Sequence, residues 1–178
     1  MVAIRVHAGQ VDKQGEPYLL HVLRVVEAVG DEAKPLAALH DTVEDAETHL
    51  VGARLASETG VGYWDLVALT RSETGACEKH CEGTYADYIA HIAGCGTPLA
   101  REVKIADLRD NLGRIPPRES AYEDITLRPL VGEPVPTRLD LREEWDREWA
   151  SLKARYEKAL AVLESREARE AAWGGRGE

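Results

Sequence analysis

Residues 36–45 read Leu-Ala-Ala-Leu-His-Asp-Thr-Val-Glu-Asp, an apolar approach followed by an imidazole and three carboxylates within six residues. Nowhere else does the chain concentrate metal-binding chemistry so tightly. Read as a helix, the stretch puts Asp41, Glu44 and Asp45 at i, i+3 and i+4 on one face, with His40 one step round from Asp41. Three adjacent carboxylates repel one another and resist burial unless they are fully solvated or share a cation and hydrogen-bond donors. The apolar residues leading into them favour burial and hence a cation.

One helix cannot surround an ion, so further ligands must come from other elements. His21 lies on an earlier predicted helix, Tyr18 to Val29, whose apolar side is read from Leu19, Leu20, Leu23, Val26 and Val29. Asp107 lies on a later one, opened by Thr97-Pro98 and running to about Leu112, where Lys104 and Asn111 share its face. Two imidazoles and two carboxylates suit manganese, iron, cobalt or zinc better than calcium.

The remaining elements follow the same signals. A short helix is predicted over residues 1–11, broken by Gly15, Glu16 and Pro17. Pro35 opens the helix that carries His40 and Asp41, and Thr48 caps one running to Thr59 and closed by Gly60. A helix from Tyr63 to Thr70 precedes a polar loop with Cys77, His80 and Cys81. Thr84 and Asp87 form a capping box opening a helix over Tyr85 to Ala93. Five prolines make Ile115 to Thr137 a loop, apart from one helical turn near Tyr122 to Leu127. From Leu139 to about Ala172, the stripe Trp145, Trp149, Leu152, Tyr156, Leu160 and Leu163 predicts one long helix. No strand pattern or repeat appears, so the expected fold is all-α. The expected organisation is one domain over residues 1–137, a C-terminal helix over 138–173 packing on it, and a disordered tail over 174–178.

Three ordered motifs resemble the RelA/SpoT-type (p)ppGpp hydrolases of the HD superfamily, including their small single-domain, metazoan SpoT homologue-like relatives. They are Gly15-Glu16-Pro17-Tyr18 with His21, then Ala38 through Asp45, then Val103-Lys104-Ile105-Ala106-Asp107 with Asn111. The resemblance implies an HD-domain helical bundle with His21, His40, Asp41 and Asp107 as ligands of Mn²⁺. It also implies Glu44 and Asp45 as the carboxylates that handle water, and Lys13, Lys104 and Asn111 as substrate contacts, with Asp12 a further contact that could accept from guanine N1–H and N2–H. The implied reaction is hydrolysis of the 3′-pyrophosphate of ppGpp or pppGpp. Asp12 stands where the family carries a basic residue beside the nucleobase, Val22 replaces a proline, and the first helix is short.

Composition limits the partners. A net charge of −10 over 178 residues disfavours nucleic-acid polymers and anionic membranes. No run reaches spanning length and the start lacks the layout of a signal peptide, so a cytoplasmic enzyme is expected, with a homodimer among its expected assemblies. Three cysteines make no disulfide framework. Cys77, His80 and Cys81, with His91 or Cys95, are too irregularly spaced for a zinc knot. Two other readings stand beside the alarmone hydrolase. One is an HD phosphohydrolase of NADPH or a deoxynucleotide, which Asp12 favours. The other is a non-catalytic nucleotide-binding module using the Trp145 and Trp149 helix, which an intact ligand set opposes.

Overall fold

The computed structural model describes residues 2–43, 50–71, 84–117, 143 and 145–165. Glu44, Asp45, the predicted cap Thr48 and the Cys77, His80 and Cys81 loop lie outside these residues. The fold is all-α: α1 (Val2–Val6), α2 (Tyr18–Glu27), α3 (Lys34–Ala37), α4 (Leu50–Thr59), α5 (Tyr63–Leu69), α6 (Tyr85–Cys95), α7 (Pro98–Gly113) and α8 (Ser151–Glu164). Among the described residues the only extended pairing is an isolated antiparallel bridge between Val11 and Pro17, and no helix is long and apolar enough to cross a membrane.

The chain divides into two compact units. The first comprises Met1–Asp110 with Ala159–Glu178. In it α2 packs on α3, α4 on α5 and α5 on α6, around a core that includes Val25, Leu36, Leu39, Leu55, Leu66 and Val103. Each such side chain stabilises the fold by roughly 1.5–3 kcal/mol relative to exposure. Arg109 of α7 and Glu164 of α8 form an ion pair at 2.5 Å within this unit, and Leu163 beside it is fully buried. The second unit is Asn111–Lys158, where Trp145 donates its indole N–H to Pro116 O at 2.9 Å.

Several elements differ from the sequence expectation. The first helix stops at Val6, not Val11, because the chain turns left-handed at Gly9, with φ of 79°. Residues 12–16 then close a turn in which Gly15 takes φ of 82° and Asp12 Oδ1 accepts the N–H groups of Gln14 and Glu16 at 2.7 and 3.0 Å. On α2 the inward side is His21, Val22 and Val25, continued by Val29 just past the helix, while Leu20 and Leu23 are 41% and 60% exposed. Turning a histidine with carboxylate partners inward costs less than burying an unpaired polar group, and at helical spacing it carries residues 20 and 23 outward.

The helix with Pro35 in its first turn is short, and His40 and Asp41 fall in turns after it. Bonding tightens from four-residue to three-residue steps: Ala38 N–H reaches Lys34 O at 2.9 Å, but Leu39 N–H reaches Leu36 O at 3.0 Å and Thr42 N–H reaches Leu39 O at 3.0 Å. The Ala37 carbonyl, which an α-helix would give to the Asp41 N–H, instead pairs with His40, with Nδ1 at 2.8 Å and with the backbone N–H at 3.5 Å. Asp41 itself lies in these turns and not in an α-helix, and the rest of the predicted shared face, Glu44 and Asp45, lies outside the described residues.

The capping box at Thr84 and Asp87 forms in both directions. The helix it opens runs to Cys95, past Ala93, and stops at Gly96, where a Cβ would meet Ile92 O at 2.5 Å. The C-terminal helix is not one uniform α-helix from Leu139 to Ala172. Asp146–Ala150 forms a π-helical turn, whose wider step brings residues four and five apart onto one side. At the other end α8 closes at Glu164, where Ser165 folds its N–H and hydroxyl onto Val162 O at 3.3 and 2.9 Å.

Candidate metal centre

Four side chains from three segments converge inside the first unit. His21 comes from α2, His40 and Asp41 from the turns after α3, and Asp107 from α7. Asp107 Oδ1 lies 3.3 Å from His21 Nε2 and 3.9 Å from His40 Nε2. Asp41 Oδ2 lies 3.7 and 2.8 Å from the same two nitrogens. One donor atom each from His21, His40 and Asp107 falls within 4.8 Å of the others, a spacing that can surround one ion. All three residues are buried.

The ring directions fit a cation. His21 turns Nδ1 to Asp110 Oδ2 at 2.7 Å and His40 turns Nδ1 to Ala37 O at 2.8 Å, so both rings present Nε2 to the shared space. Holding the far nitrogen of a ligating imidazole in this way fixes its tautomer and orientation. His40 Nε2 is close to Asp41 but out of line with it, leaving this buried nitrogen without a hydrogen-bond partner. A buried ring nitrogen facing two carboxylates is costly unless a proton or a metal cation meets it.

Other groups steer the carboxylates. Tyr18 donates its hydroxyl to Asp41 Oδ2 at 2.5 Å, and its ring sits 5.0 Å from His7 and 5.3 Å from His21. Lys104 donates to Asp107 Oδ2 at 2.7 Å and lies 5.3 Å from the centre of the Tyr88 ring, which leaves Oδ1 of Asp107 on the imidazole side. Arg24 donates from Nε to Asp110 Oδ1 at 2.5 Å and from its terminal nitrogen to Asp110 Oδ2 at 3.3 Å.

These neighbours set the protonation. Burial pulls His21 down, but hydrogen bonds with Asp107 and Asp41 and the charge of Asp107 outweigh it and raise His21 to about 10. Burial likewise opposes, and the Asp41 carboxylate overcomes, a rise at His40. For Asp107, burial pushes up while the Lys104 ammonium and His21 bring it down to about 2. Asp41 is held well below its usual range by His40 and His21 against the same burial effect. Lys104 is raised well above its usual value, chiefly by Asp107 overcoming burial. Metal-free, the centre thus sets a protonated His21 against ionised Asp41 and Asp107, and a divalent ion can take the place of that proton.

The other residues singled out in the sequence fall as follows. Lys13 is exposed beside the 12–16 turn, and Asp12 is engaged in closing that turn. Asn111 is one helical turn beyond Asp107 along α7 and opens the second unit. Glu44 and Asp45 lie outside the described residues. Sequence reading missed Asp110 and Arg24 and gave Tyr18 no task. The available signal was spacing: Asp110 stands three after Asp107, Arg24 three after His21 and Tyr18 three before it, each on the same helical face as its ligand.

No protein-family model matches the chain. One local similarity is found, to a GTP pyrophosphokinase of Myxococcus xanthus, 50% identical over 46 residues. That stretch is 23% of this chain and 6% of the relative, so the chain matches only a small part of that protein's length.

Proposed function

We propose that the chain is a metal-dependent phosphohydrolase that removes the 3′-pyrophosphate of ppGpp or pppGpp, giving pyrophosphate and GDP or GTP. The observation that carries this reading is the convergence of two Nε2 atoms and two carboxylates, with both Nδ1 atoms turned away and engaged. The local similarity to a GTP pyrophosphokinase supports guanine nucleotide chemistry. The side chains favour the hydrolytic direction, because a mixed imidazole and carboxylate cradle suits activation of water.

His21, His40, Asp41 and Asp107 would hold the ion, with Mn²⁺ first among the candidates of this ligand type. When bound, the ion lowers the pKa of a coordinated water and offsets phosphate charge. The chain's residues do the rest. Tyr18 and Lys104 fix the two carboxylates, each through one oxygen. Glu44 and Asp45, three and four residues after Asp41, would orient the water, and one of them would accept its proton as its oxygen bonds to the 3′ phosphorus and the bond to the ribose oxygen breaks; that proton then passes to the departing oxygen to give the 3′ hydroxyl. Lys104, with three ammonium donors, has capacity beyond Asp107 for a phosphate oxygen. Lys13 and Asn111 supply further substrate contacts. Asp12 closes its own turn through Oδ1 and is a further expected contact to the nucleobase.

The test is product chromatography of ppGpp, pppGpp, NADPH and deoxynucleotides, each incubated with protein and Mn²⁺. Pyrophosphate with GDP or GTP is expected, and excess chelator should stop turnover. Preferred turnover of NADPH or a deoxynucleotide, or full activity in chelator, overturns the reading. Glu44→Gln and Asp45→Asn should each keep the metal while losing on the order of 10²-fold in rate.

A further inference from the structure

We propose that Asp110, clamped by Arg24, is the positioning residue that fixes the direction and tautomer of His21 toward the metal, an inference that rests on the metal-centre reading above. A neutral imidazole carries one proton, so one ring nitrogen donates and the other accepts. Were the proton on Nε2, it would face Asp107 Oδ1, 3.3 Å away, and the ring could not ligate. Asp110 Oδ2 stands 2.7 Å from Nδ1, placed to accept from it, so that when a metal displaces the second proton the neutral ring keeps its proton on Nδ1 and offers the lone pair of Nε2.

A carboxylate free to rotate would select the tautomer only loosely. Asp110 is held at both oxygens, with Arg24 Nε on Oδ1 at 2.5 Å and the terminal nitrogen on Oδ2 at 3.3 Å. Such a two-point contact sets direction as well as charge. Arg24 in turn lies 3.8 Å from Glu16, at the end of the turn preceding α2. The layout repeats one spacing on two helices: the ligand His21 and its support Arg24 are three apart on α2, and the ligand Asp107 and its support Asp110 are three apart on α7. The alternative is a plain ion pair between helices. With Arg24 37% exposed, such a pair contributes little to stability, and it predicts no effect on metal affinity or tautomer.

The experiment measures zinc affinity by competition with a chromophoric chelator for wild type, Asp110→Asn, Asp110→Ala and Arg24→Gln. Nitrogen-15 histidine spectra of the zinc-loaded proteins report which ring nitrogen carries the proton. Asp110→Ala should weaken zinc by about 10- to 100-fold, the usual range for losing such a support, and His21 should lose its single tautomer. Asp110→Asn, whose amide oxygen still accepts the Nδ1 proton, should retain the tautomer and lose less affinity, and Arg24→Gln should fall between Asn and wild type. Affinity within twofold of wild type, with an unchanged tautomer in Asp110→Ala, overturns the inference. Should that variant fail to fold, unchanged affinity in both Asp110→Asn and Arg24→Gln overturns it equally. Wild-type protein that binds no zinc overturns the metal-centre reading itself, a result distinct from the others.

Discussion

His21 enters the centre from the middle of α2 with Nδ1 on a carboxylate that an arginine clamps, whereas His40 enters from a turn with Nδ1 on the neutral main-chain oxygen of Ala37. The first arrangement is electrostatic: three carboxylates, Asp107, Asp41 and Asp110, raise that ring to about 10 against its burial. The second is geometric, since the Ala37 carbonyl is diverted from helix bonding and the helix ends there. Carboxylates raise both rings, but the far nitrogen is held by a charged group at His21 and by the backbone at His40. Conditions that alter charge should therefore act mainly through the His21 side, and perturbations of the chain path mainly through His40.

The largest effect is expected at Asp107, which faces both imidazoles. Asp107→Ala should reduce bound metal to background and abolish turnover, because it opens the centre on both sides and leaves Lys104 buried without its carboxylate. Metal analysis of the purified variant checks this. Substantial retained metal would place the ion elsewhere.

Acid should act next most strongly. In the metal-free centre His21 keeps its proton up to about pH 10, so an ion binding at neutral pH must displace it. Affinity should then fall by about tenfold or more per pH unit between pH 8 and 6. Stability without metal has its own signs. The raised His21 contributes stability that is complete below its unfolded value near 6.5 and lost as pH rises through about 10. The lowered Asp107 contributes stability present above its unfolded value near 3.8 and lost as pH falls through about 2. Melting of chelator-treated protein should accordingly decline toward pH 10, and metal should reverse that decline. A flat alkaline profile would remove the electrostatic half of the comparison.

Tyr18→Phe lies between the two halves, because its hydroxyl meets the Asp41 oxygen that faces both rings. Losing one hydrogen bond to a charged group should cost roughly 1.5–3 kcal/mol, read as lowered stability or lowered metal affinity. Smallest of all should be Leu23→Lys on the exposed side of α2, with a change within about 0.5 kcal/mol in a thermal melt. A large loss there would show that α2 is rotated from the orientation that buries His21.

The sequence and the structure agree at several places where a local pattern decides the outcome, though not at the first helix, which ends before Gly9. The capping box of Thr84 and Asp87, the start of α7 at Pro98 and the all-α class follow from turn chemistry and helical spacing. They part where tertiary pairing overrides the pattern. The spacing placed Val26 and Val29 rightly against the core but also turned Leu20 and Leu23 inward, since burial of His21 depends on Asp107 and Asp110, more than eighty residues away. The apolar run before His40 reads as helix, and nothing local announces that the imidazole will take the Ala37 carbonyl. His21, His40, Asp41 and Asp107 were legible as a group because each residue type has few buried uses. Asp110 was not, because an acidic residue three from another on a charged helix looks like ordinary solvated surface.

The central claim is that two imidazoles and two carboxylates surround one ion, and X-ray absorption fine structure of protein loaded with one equivalent of zinc tests it most directly. The account predicts a first shell of nitrogen and oxygen only, at about 2.0–2.2 Å, with the outer-shell signature of two imidazole rings. A shell containing sulfur at about 2.3 Å would place the metal on the cysteines instead, and a shell without imidazole would contradict the assignment of His21 and His40.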